Sequence, residues 1–113
     1  MAIYYVDSTA TGSGTGADWA NAFLSFDACF TAVTLTGGDT VYFAHDHANT
    51  AYGVAKTWNI PETFSGYLPI YLLSVTRGTT TLQAGAIERA SGFGITLAGN
   101  LYAYGITLDT ETS

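Results

Sequence analysis

Apolar positions in this chain fall into one helical stripe followed by a series of short, strand-like runs. Trp19, Phe23, Phe26, Phe30 and Val33 are separated by four, three, four and three positions, the spacing of one helical face. Ser25 suits an N-cap and Asp27 the first turn, so the spacing predicts a helix over Ser25 to Thr34, with Trp19 to Phe23 as an extended lead-in. Thr34-Leu35-Thr36 lowers helix propensity, and Gly37-Gly38 offers the positive φ angles of a helix exit.

Ahead of the helix, Ile3 to Val6 reads as a strand, and Ala10 to Ala17, with Gly12, Gly14 and Gly16, reads as a loop. Behind it come Thr40 to Ala44, Thr57 to Ile60, Ile70 to Val75, Thr79 to Ala84, Phe93 to Ala98 and Leu101 to Leu108, each bounded by Gly, Asn or Pro signals. Asn-Gly and Asp-Gly hairpin turns are absent, which counts against an antiparallel sandwich. Phe93-Gly94-Ile95-Thr96-Leu97 and Tyr104-Gly105-Ile106-Thr107-Leu108 echo one another. The pattern predicts a solenoid of stacked short strands, in which no layer buries its inner face alone. With a helix at one end and a strand run almost at Ser113, the far end would be open, to be continued or covered by a neighbour.

Composition narrows the function classes. The 113 residues suffice for one domain with one core. Hydrophobic content is 48% against 11% charged, too apolar for a disordered chain. Nine acids face only Lys56, Arg77 and Arg89, for a net charge of −6, and three scattered cations make no phosphate-tracking surface. Nucleic acid is therefore not an expected partner. Neither is a membrane, because no apolar stretch approaches a spanning length. Cys29 stands alone, excluding an intrachain disulfide, and its place among Phe26, Phe30 and Val33 suits a buried small apolar residue.

Ile3-Tyr4-Tyr5-Val6-Asp7, the Gly-rich loop, Asp18-Trp19-Ala20-Asn21-Ala22-Phe23, the helix and Gly38-Asp39-Thr40-Val41-Tyr42-Phe43 together resemble the N-terminal block of right-handed parallel β-helix proteins of the pectate-lyase-like superfamily. Asp46-His47-Ala48-Asn49-Thr50, Pro69 to Val75, and Ile95-Thr96-Leu97 with Tyr102 to Leu108 are similar to bacteriophage β-helix proteins without assigned activity. The resemblance implies an all-β fold, a right-handed single-stranded parallel β-helix with a short N-terminal capping α-helix. Residues 1–38 would form the strand, loop and cap, and residues 39–113 the first coils. It implies a cap face of Trp19, Phe26, Phe30 and Val33, and an exposed last coil with Leu101, Tyr102, Tyr104 and Leu108 as interface.

Candidate chemistry is sparse. His45 and His47 would share one face of an extended segment and are candidate metal ligands, but no cysteine pair or further histidine completes a site. Strand-end turn bonding by Asp46 or His47 is the plainer account. The acids are dispersed, many of them at turns, and single out no pair for glycoside hydrolysis. Arg77 and Arg89 are catalytic candidates only by elimination, and Arg77-Gly78 reads better as a corner. The three glycines of the loop lack the G-x-G-x-x-G spacing of a phosphate cradle. Tyr4, Tyr5, Tyr42, Tyr52, Tyr67, Tyr71, Tyr102 and Tyr104, with Trp58, fit a sugar-stacking strip, protein contacts or internal packing equally well.

The expectation is a non-catalytic phage virion protein that decorates or cements the capsid, made in the host cytoplasm and located in the virion. It would self-associate, with a homotrimer as the simplest closed form, and would need no cofactor. The alternative is the N-terminal part of a tailspike-like or pectate-lyase-like protein that degrades or binds polysaccharide.

Overall fold

Runs of β-branched and aromatic residues form the strands of the computed structural model, which describes residues 2–60, 68–90 and 94–110. The first strand, β1 (Ile3–Val6), is followed by a long loop and the one described helix, α1 (Phe26–Ala32). Seven strands follow: β2 (Thr40–Ala44), β3 (Lys56–Ile60), β4 (Ile70–Val75), β5 (Ala86–Arg89), β6 (Ile95–Gly99), β7 (Leu101–Tyr104) and β8 (Ile106–Asp109). Among the described residues, all five pairings between named strands are parallel. They build a four-stranded sheet in the order β1-β2-β4-β7 and two two-stranded sheets, β3-β6 and β5-β8.

Helix α1 begins as its capping chemistry dictates. Ser25 is extended, and its hydroxyl accepts the Ala28 N–H at 3.1 Å. Its exit differs from the sequence expectation: Val33 is already extended, so the helix stops well before Gly37-Gly38. A β-branched residue at this point gains more from packing on the core than from another helical turn.

The core draws on every layer. Phe26 and Cys29 of α1 are buried with Val6, Val41, Phe43, Trp58, Ile70, Leu72 and Ala86. Phe26 stands edge-on to Trp58 with ring centroids 4.9 Å apart, and 5.8 Å from Phe43. Full burial of a side chain such as Phe26 or Ile70 stabilises by about 1.5–3 kcal/mol.

This architecture corrects the expected β-helix. The structure is a small domain of several short parallel sheets with one helix, not a solenoid. Its radius of gyration, 13.1 Å, is that of a compact globule of this length. Long non-strand segments, residues 7–25 and 76–85 among them, leave strands of only four to six residues. These fill one four-stranded sheet and two strand pairs around a common core. Two strand assignments also change. Thr79 to Ala84 is turn and irregular chain, because the Thr79 hydroxyl bonds the Thr76 carbonyl and receives the Thr81 N–H. The run Leu101 to Leu108 is broken into β7 and β8 by Gly105, at φ 70°, where a Cβ would sit 2.7 Å from the Ala84 Cα. Tyr67 and Phe93 lie outside the described residues.

Candidate functional site

The buried ionisable groups converge on the helix. Glu88, on β5, is 1% exposed, and its carboxylate accepts from the Tyr52 hydroxyl, from the Phe26 N–H at 3.1 Å and from His47 Nε2. His47 Nδ1 accepts the Ser8 N–H at 3.0 Å, so the imidazole proton lies on Nε2 and is donated to Glu88. The Tyr52 oxygen in turn accepts the Asp27 N–H. Three first-turn N–H groups, which no helix can satisfy internally, are thus taken by Glu88, Tyr52 and Ser25. Burial, then the Glu88 charge, pushes the Tyr52 hydroxyl well above its ordinary range. On the outer side, the Asp27 carboxylate accepts from Lys56 Nζ at 3.0 Å and Trp58 Nε1 at 3.1 Å, tying the helix to β3.

A second cluster sits where β1, β2 and β4 end. Asp7, 2% exposed, accepts from the Arg77 guanidinium and from the N–H and hydroxyl of Thr9, while Arg77 also bonds Asp46. Burial alone would raise the Asp7 carboxyl, but the bonds from Arg77 and Thr9 outweigh it and hold the carboxyl below its ordinary range. Asp39 similarly ties the N–H groups of Ala2 and Thr36. Asp7 and Asp46 share the Arg77 guanidinium, and Asp7 and Asp39 each join distant segments of chain.

His45 and His47 do not form a site together. Both nitrogens of His47 are engaged in the interior, and His45 Nδ1 is buried with no hydrogen-bond partner among the described residues. No group of three or more His, Cys, Asp or Glu stands close enough to hold a metal ion among the described residues. Arg77 belongs to the Asp7 clasp, and the main chain of Arg89 is paired with the Asn49 side chain. A cleft of about 270 Å³ lies beside the helix end, lined by Phe30, Val33, Thr34, Leu35 and Asn59, none of them ionisable. No described helix is long and apolar enough to cross a membrane.

The outer face of the four-stranded sheet is the feature that reaches solvent. Register aligns Tyr5, Tyr42, Leu73 and Tyr104 in one row, and Thr40, Tyr71 and Tyr102, continued by Ile3, in the next. Val41, Phe43, Ile70 and Leu72 point the other way, into the core. Trp19 extends the first row, edge-on to Tyr5 at 4.9 Å, and Tyr5 lies 5.8 Å from Tyr42. Tyr71 and Tyr102 are 6.2 Å apart. Ile3, Tyr102 and Tyr104 are exposed, and among the described residues these two rows contain no charged side chain. Compared with known proteins, the chain matches no family model, no curated protein and no solved structure.

The expected cap residues separate by depth. Phe26 is buried, Phe30 and Val33 pack partly on the core, and Trp19 packs on Tyr5 at the outer face. Of the expected interface residues, Tyr102 and Tyr104 lie on the outer face and Leu101 leans on the core. Leu108, on β8, is partly exposed away from that face. Trp58 and Tyr52, named as possible sugar contacts, are spent on α1. Sequence reasoning missed Glu88: a glutamate followed by arginine reads as surface, and nothing local announces that it meets His47 and the helix.

Proposed function

We propose that this chain is a non-catalytic assembly protein of a phage particle, one that decorates or cements a capsid. The observation that carries the reading is the uncharged, Tyr-rich outer face of the four-stranded sheet. Aromatic enrichment with depletion of charge is the composition of protein-interface cores, where large rings exclude water at modest entropic cost. The phage-type sequence resemblance supplies the setting, and self-association through this face into a homotrimer is the simplest closed arrangement.

Geometry favours protein over sugar on this face. A flat, ribbon-like polysaccharide stacks on rings that present their faces in a common plane. Here Tyr5 is tilted 35° from Tyr42 and 61° from Trp19, and Tyr71 is tilted 54° from Tyr102. The buried carboxylates and His47 support a non-catalytic role, since each is saturated by bonds that hold the fold together.

The test is co-sedimentation of the purified chain with phage capsids, alongside Tyr42→Asp, which places a charge mid-face. Saturable, stoichiometric binding by wild type and its loss in the folded variant are expected. Cleavage of a bacterial polysaccharide by the chain, or equal binding of both proteins, would refute the reading.

A further inference from the structure

The two nitrogens of the buried His47 ring meet opposite chemistry. Nε2 faces an acceptor, the Glu88 carboxylate, whereas Nδ1 faces a donor, the Ser8 N–H, at 3.0 Å. Ser8 is tied a second time to the same segment, its hydroxyl accepting the Ala48 N–H at 3.2 Å. It stands at the root of the loop of residues 7–25, where the Asp7 N–H bonds the Phe23 carbonyl and draws the two loop ends together. With Nε2 already protonated, a second proton on the ring goes to Nδ1. There it sets an N–H against an N–H, and the two must part. The positive charge itself is accommodated, because the Glu88 carboxylate stands against Nε2.

The groups around the ring come from four directions. Glu88 reaches it from β5, with the Tyr52 hydroxyl and the Cys29 thiol of α1 close to that carboxylate. From β2 the Phe43 ring packs edge-on, its centroid 5.8 Å away. On the loop side, Asp7 beside Ser8 and Asp46 beside His47 both turn to Arg77. Asp7 is held below the ordinary carboxylate range, the Cys29 thiol is pushed up to about 12 and the Tyr52 hydroxyl well above its usual value. These three therefore keep their charge state between about pH 5 and 8, the range in which imidazole changes its own.

We infer that His47 is a proton-operated latch on the loop of residues 7–25, holding Ser8 when the imidazole is neutral and releasing it when Nδ1 is protonated. The latched form carries one proton fewer, so falling pH favours release and rising pH favours closure. The same loop carries Trp19 against Tyr5. On the reading of the outer sheet face as an interface, acid thus loosens one end of that interface.

Nitrogen NMR of the His47 ring and amide exchange at Ser8, both on this chain at about pH 8 and about pH 5, test the latch. Protection of the Ser8 amide, corrected for the intrinsic rate, should drop by about 5–150-fold once Nδ1 is protonated, while the Phe26 amide on Glu88 keeps its protection. Ser8 protection equal at both pH values, or retained with Nδ1 protonated, would overturn the inference. His47→Asn sets an acceptor near the place of Nδ1 and offers no site for a second proton, so its Ser8 protection should ignore pH. A wild-type drop in that folded variant would also overturn the latch; if the variant does not fold, the wild-type measurements decide alone. In chain labelled with fluorotryptophan, the Trp19 fluorine signal should shift with Ser8 release while that of Trp58 stays, and a stationary Trp19 would overturn the link to the outer face. A latch that opens in a chain that ignores capsids refutes only the capsid reading. Capsid binding by a chain whose Ser8 is blind to pH refutes only this inference.

Discussion

Replacing Glu88 by alanine should remove a large part of the stability of this domain. The carboxylate is buried and receives three donors: His47 Nε2, the Tyr52 hydroxyl and the Phe26 N–H. Stranding a buried donor costs about 1–3 kcal/mol. Because His47 Nδ1 accepts the Ser8 N–H, the deletion leaves no uncompensated charge, and three stranded donors that simply added would cost about 3–9 kcal/mol. Because the three donors share one acceptor and relax together, the expected loss for Glu88→Ala is about 3–5 kcal/mol rather than the sum. Set against a domain stability of about 5–15 kcal/mol, that is about a fifth or more of the total. At about 4 °C per kcal/mol, Tm should fall by about 12–20 °C. Glu88→Gln keeps an acceptor for Tyr52 and Phe26 but turns an amide N–H toward His47 Nε2. The imidazole cannot change tautomer without confronting the Ser8 N–H, so one clash remains, at about 1–3 kcal/mol. Urea denaturation followed by tryptophan fluorescence measures both, since Trp58 reports on the helix contact. A Glu88→Ala protein within about 1 kcal/mol of wild type, or a glutamine variant weaker than the alanine one, would show that the helix is not held in this way.

Two further outcomes follow from the buried groups. Asp7 has a lowered carboxyl pKa in the fold, so its contribution is full above the unfolded value of about 3.9 and drains as pH falls through the folded value; Asp7→Asn should flatten the acid limb of a stability-pH profile, and an unchanged limb would contradict the Arg77 clasp. Cys29 is buried and its thiol, pushed up by burial and then by Glu88 to about 12, should resist a disulfide reagent in native buffer and react at once in urea; rapid native labelling would place the thiol at the surface.

Local chemistry made much of the strand content readable. Ile3–Val6, Thr40–Ala44 and Ile70–Val75 are β-branched and aromatic runs between turn signals, and Ser25 marks the helix start. What stayed hidden depends on long-range placement. Thr79 to Ala84 has strand propensity, yet its hydroxyls satisfy the local main chain and leave the strand to Ala86–Arg89, whose charged residues disguised it. Short parallel strands fit a stacked solenoid as readily as separate small sheets, so periodicity alone could not choose between them. The tyrosines were visible as a composition. Only the register that sets Tyr5 beside Tyr42 and Tyr71 beside Tyr102 separates the outer-face rings from Tyr52, which serves the helix.

The outer sheet face is the centre of this account, and side-chain footprinting addresses it directly. Under the proposed function, hydroxyl-radical labelling of Tyr42, Tyr71, Tyr102 and Tyr104 should fall sharply between the dispersed chain and the chain bound to phage capsids, most of all at the exposed Tyr102 and Tyr104. Equal labelling of these four rings in the free and assembled states would contradict the claim that this face is where the protein does its work.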